Sequence, residues 1–83
     1  MRLLEFLKKI PQPDLNIKVY IVDHWLPVAK DTLFKIILRL EINRNEDKYE
    51  LSRLDYIFTY ADIKCLSFED NTVYITLEDN LKD

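Results

Sequence analysis

One histidine, His24, and one cysteine, Cys65, are present in the chain. With no second His or Cys to join them, a structural zinc site cannot be assembled, and a metal would have to be held by carboxylates alone. The acidic residues show no EF-hand-like spacing. Nucleophilic catalysis needs a nucleophile beside a base that a third group orients. Ser52, Ser67, His24 and Asp23 supply those types, but nothing in their spacing holds them together. The adjacent acids Glu69-Asp70 and Glu78-Asp79 fall at strand ends, where solvation accounts for them without a glycosidase-like pair. The expectation is therefore a protein that is not an enzyme and uses no cofactor and no metal.

One short cluster does suggest recognition. Asp23-His24-Trp25-Leu26-Pro27 interrupts a strand pattern, and a Trp exposed in such a loop makes an interface anchor. His24 and Trp25, together with the aromatics Tyr56, Tyr60 and Tyr74, form the candidate interaction set. A core this small cannot hide every aromatic side chain, since an 83-residue chain buries only roughly 60% of its unfolded surface.

These residues need elements to hold them, and the patterning supplies a scheme. Phe34, Ile36, Leu38, Leu40 and Ile42 alternate with Lys35, Ile37, Arg39 and Glu41, which is the two-residue period of a half-buried strand. Residues 33–42 are expected as the central strand, with a helix capped by Asp31 or Thr32 as the competing reading. Ile17, Val19 and Ile21 alternate with Lys18, Tyr20 and Val22, predicting a strand over 17–22. Leu54, Tyr56, Phe58 and Tyr60 predict another over 54–60. Between them, Asn43–Lys48 reads as a polar turn, with Asn45 able to cap a short helix.

The ends are sharper. Leu3, Phe6, Leu7 and Ile10 share one helical face opposite Arg2, Glu5, Lys8 and Lys9, so residues 2–10 read as a short helix stopped by Pro11 and Pro13. Asp70 and Asn71 tolerate positive φ and fit a two-residue hairpin turn. That turn pairs Phe68 with Val73, Leu66 with Ile75 and Lys64 with Leu77, and sets Ser67 opposite Tyr74 and Cys65 opposite Thr76. Strands over 63–69 and 72–78 follow, with 79–83 as a frayed tail. The whole predicts one α+β domain over 1–83, mostly β: a short N-terminal helix, then a small antiparallel sheet or barrel of about five strands.

Composition narrows the function further. Glycine is absent, although an average chain of this length carries about six. A P-loop, a dinucleotide fingerprint and a nucleophile elbow all depend on Gly, so none can be built. Charge divides unevenly: residues 1–42 hold seven Lys/Arg against five Asp/Glu, giving +2, and residues 43–83 hold five against ten, giving −5. The acidic second half disfavours nucleic acid and suits a basic protein surface. No apolar run reaches the roughly 20 residues of a membrane span. No export signal is read at the N-terminus, and a lone cysteine agrees with a reducing compartment. The expected location is cytoplasmic.

A helix followed by about five strands resembles the Sm-like small barrel in outline. Phe68-Glu69-Asp70-Asn71-Thr72-Val73 resembles that family's second hairpin motif, apolar-Arg-Gly-polar-x-apolar. Glu69 occupies the place of the Arg and Asp70 that of the Gly, so the resemblance extends to shape and not to RNA contact.

The functional expectation is a small accessory or regulatory protein acting through a surface on another protein. An inhibitor from a phage or mobile element, placing acidic charge in a basic nucleic-acid site, is one specific form. Self-association through sheet edges is a second expectation. The alternatives are a nucleic-acid-binding small barrel and a small-ligand binder or enzyme using Asp23 and His24.

Overall fold

The computed structural model describes residues 1–79 and 81. Its elements are α1 (Leu3–Leu7), β1 (Asn16–Ile21), β2 (Ala29–Thr32), α2 (Leu33–Arg44), a 3-10 turn at Lys48–Glu50, α3 (Arg53–Tyr60), β3 (Ile63–Glu69) and β4 (Thr72–Leu77). The class is α+β, with a short N-terminal helix and a four-stranded mixed sheet.

The strands run in the order β2-β1-β4-β3. Two antiparallel hairpins, β1–β2 and β3–β4, meet at their inner strands, and β1 pairs with β4 in parallel from Asn16–Thr72 to Ile21–Leu77. The expected all-antiparallel sheet is therefore corrected at its centre. A parallel pair requires a long crossover, and the helical middle of the chain provides it.

Alternation in β1 and β4 sends Ile17, Val19, Ile21, Val73, Ile75 and Leu77 to one face. There they are buried against Leu3, Leu7, Leu33, Ile36, Leu40, Ile57 and Phe58 from the three helices. The opposite face carries Lys18, Tyr20, Tyr74 and Thr76, and among the described residues no helix packs on it. This two-layer arrangement gives the thin core its full set of apolar contacts on one side only.

Two expected strands are helices, and both differences have one cause. In α2, Leu33, Ile36 and Leu40 face the core, while Phe34, Leu38 and Ile42 form a second apolar row on the opposite side. Each row has helical spacing, and the rows are offset by two residues, so together they imitate the two-residue period of a strand. Tertiary contacts settle the matter at the helix start: the N–H groups of Leu33 and Phe34 donate to the carbonyls of Leu15 and Pro13 at 2.7 and 3.0 Å. Those are donors that a helix terminus leaves without an internal partner. The competing helical reading is the one the chain adopts, with Thr32 at the N-cap position.

In α3, Tyr56 and Tyr60 lie one turn apart on a flank, while Ile57, Phe58 and Ala61 go to the core. Ser52 caps the helix by accepting from the Asp55 N–H at 3.1 Å. With two strands replaced by helices, the helix-plus-five-strand outline behind the Sm-like resemblance is absent.

The other differences are local. Asn43 is not in a turn but buried near the end of α2, and Asp47, not Asn45, caps the turn at Lys48–Glu50 by accepting from the Tyr49 N–H. The first helix is shorter than expected and spans Leu3–Leu7. The terminal hairpin has the expected turn, with Asp70 and Asn71 at φ of 51° and 58°. Its expected register holds from Phe68–Val73 to Cys65–Thr76, but a shift between Ile63 and Cys65 places Ile63, not Lys64, opposite Leu77. In the expected frayed tail, residues 80, 82 and 83 lie outside the described residues. Arg53 holds Asp79 at 3.3 Å and the Leu81 carbonyl at 2.9 Å.

Candidate functional site

Among the described residues, no three His, Cys, Asp or Glu side chains converge as a metal site would require. An open groove of about 440 Å³ lies between the 3-10 turn and α3, lined by Lys48, Tyr49, Leu51, Arg53 and Tyr56. It is half open to solvent.

The aromatic candidates do not form one site. Trp25 stands on the β1–β2 loop with 95% of its surface exposed, beside an exposed His24 and Leu26. Asp23, at φ 67°, lies in the turn that opens this loop. Tyr56 and Tyr60 do meet on α3, with ring centroids 5.3 Å apart. Arg2 and Lys48 both lie over the Tyr60 ring, at 5.5 and 5.2 Å. Tyr74 sits apart on the helix-free face of the sheet, under the Lys18 ammonium at 5.4 Å. The five candidates thus fall on three separate surfaces: His24 and Trp25 on the β1–β2 loop, Tyr56 and Tyr60 on α3, and Tyr74 on the sheet.

The outward row of α2 was not among the candidates, yet it is the most coherent apolar surface. Phe34, Leu38 and Ile42 are 60%, 50% and 54% exposed, and they follow one another at four-residue spacing over almost the whole helix. A helix apolar on both sides is normally buried on both sides. α2 is buried only on one.

Three charged side chains of α2 beside this row, Lys35, Arg39 and Glu41, are engaged within the chain. Lys35 lies 4.0 Å from Asp31, Arg39 donates to the Asp55 carboxylate at 2.9 Å, and Lys8 reaches Glu41 at 3.4 Å. Arg39 also lies 4.8 Å over the Phe58 ring, which fixes its guanidinium on the α3 side of the helix. The row therefore has an apolar centre bordered by solvent-exposed ion pairs. The signal in the sequence was the alternation over 34–42 itself, because a one-faced helix does not produce it.

Comparison with known proteins finds no matching family model, no similar curated protein and no similar solved structure, so the functional argument rests on this surface.

Proposed function

We propose that the chain is a non-enzymatic protein-interaction module whose outward α2 row docks in an apolar groove of another protein. The supporting observation is the second apolar row, Phe34, Leu38 and Ile42, on a helix whose first row already fills the core. Helix-in-groove recognition uses anchors spaced three or four residues apart on one face, and these three residues have that spacing. Because the neighbouring charges are internally paired, the recognition is apolar and only weakly dependent on salt. The acidic second half of the chain then acts on encounter, favouring a partner with basic surface around the groove. An inhibitor carried by a mobile element is a specific form of the proposal.

The test is affinity purification of the tagged protein from its native host after nuclease treatment, alongside variants Leu38→Ser and Trp25→Ala. A stoichiometric protein that survives nuclease and high salt and is lost with Leu38→Ser supports the proposal. Capture indifferent to Leu38→Ser, or lost with nuclease, overturns it.

A nucleic-acid reading draws on one observation. The strand register sets Lys30, Lys18 and Tyr74 side by side across the helix-free face. Lys18 covers the Tyr74 ring, however, and so occupies the surface on which a base would stack.

A further inference from the structure

β3 is an edge strand, and every residue of it from Lys64 to Glu69 is exposed. Leu66 and Phe68, 47% and 65% exposed, project on the same side of the sheet as the helices but lie beyond the helical layer. The turn geometry says which backbone groups are free. In a two-residue turn with positive φ at both positions, the flanking pair Glu69–Thr72 is hydrogen-bonded, and pairs then alternate along the ladder. Ser67 and Cys65 therefore bond to β4, while Leu66 and Phe68 direct N–H and C=O away from it.

Edge strands are usually blunted by a proline, a bulge or a covering segment. Here the register shift and the covering segment are confined to the start of the strand. The Ile63 N–H donates to the Met1 carbonyl at 2.9 Å, and Arg2 bridges to Asp62. Among the described residues, no backbone group from outside the sheet hydrogen-bonds to Leu66 or Phe68.

We propose that β3 pairs antiparallel with β3 of a second copy of this chain, about a two-fold axis through Ser67. The outward groups of Leu66 and Phe68 allow only registers in which even-numbered residues face even-numbered residues. With Ser67 at the centre, Leu66 of each copy faces Phe68 of the other, so the apolar pair occurs twice, and Lys64 at the register shift of one copy comes to the end where the turn residue Asp70 of the other offers opposite charge. Centring on Leu66 would set Phe68 against Lys64 of the other copy, and centring on Phe68 would set Leu66 against Asp70. Neither alternative matches charge and hydrophobicity together. The product is a continuous eight-stranded sheet with both helical layers on one face. Leu66 and Phe68 from the two copies fill the trough between those layers. The dimer uses a different surface from the α2 row and stands independently of that proposal.

The experiment combines sedimentation with site-directed cross-linking. Wild-type protein in reducing buffer is expected to sediment as a dimer. Phe68→Glu should raise the dissociation constant roughly tenfold or more, because the altered pair occurs twice. In a Cys65→Ser background, Ser67→Cys should cross-link on mild oxidation, since the two copies of residue 67 face each other in a non-hydrogen-bonded pair. Wild-type Cys65 should not, because its two copies are offset by four residues, roughly 13 Å along the strands. A monomer at all concentrations, a dimer unaffected by Phe68→Glu, or cross-linking through Cys65 instead of residue 67 overturns the proposal. Loss of the dimer with Leu38→Ser alone also overturns it, by placing the second copy on α2.

Discussion

Asn43 and Thr59 join α2 to α3 inside the core: the Asn43 amide donates to the Thr59 hydroxyl at 3.1 Å, and that hydroxyl donates to the Asp55 carbonyl at 2.7 Å. Both residues are buried. Thr59→Val should therefore cost about 1–3 kcal/mol, because it strands the amide of Asn43 away from water. Adding Asn43→Leu should recover part of that loss, a non-additivity that urea denaturation of the two single variants and the double variant would measure.

Leu38 and Leu40 are the same residue type two positions apart, one half exposed and the other fully buried. Leu40→Ala should cost about 2–5 kcal/mol, as expected for a large-to-small change in a core. Leu38→Ala should stay within about 0.5 kcal/mol. Thermal unfolding followed by far-UV circular dichroism checks both values. Equal losses at the two positions would mean that the outer row is covered within the monomer.

Trp25 is the single tryptophan, so its fluorescence reports one place. Its exposure predicts a red-shifted emission in the folded protein, ready quenching by acrylamide and little further shift on unfolding. Trp25→Ala should change stability by less than about 0.5 kcal/mol. A blue shift on adding a captured partner would bring the β1–β2 loop into that interface.

Asn71 holds a positive φ without being glycine. Asn71→Gly should stabilise the chain by up to about 1 kcal/mol, whereas Asn71→Val should destabilise it by about 1–2 kcal/mol, since a β-branched side chain is poorly tolerated there. Paired chemical denaturation curves test the two signs.

The terminal hairpin was legible because two independent local signals agree in it: Asp70-Asn71 has the turn chemistry, and Phe68, Leu66, Val73 and Ile75 have the matching alternation. Strand β1 was legible for a similar reason, since Ile17, Val19 and Ile21 face one buried side. The helices α2 and α3 were not, because their apolar residues serve two surfaces and local pattern cannot say which is core. The start of α2 is anchored by the carbonyls of Pro13 and Leu15, which accept from its first N–H groups, a contact made only once the chain has folded. The candidate surface suffered from the same ambiguity. In the sequence Phe34, Leu38 and Ile42 read as part of a buried strand, and the aromatics that stand out instead, such as Tyr74, are distributed by the fold over other surfaces.

The parallel pairing of β1 with β4 also shapes how the chain acquires its structure. Each hairpin closes over a short stretch of chain, but Asn16 meets Thr72 only after the whole helical middle has been laid down. Closing the centre of the sheet is the most non-local event in folding and therefore the expected slow step. Until β4 arrives, the inner edge of β1 is as open as the outer edge of β3. During synthesis the inner edge of β1 therefore stays unpaired through the whole helical middle of the chain, and it is covered only once β4 has been made and has packed beside it.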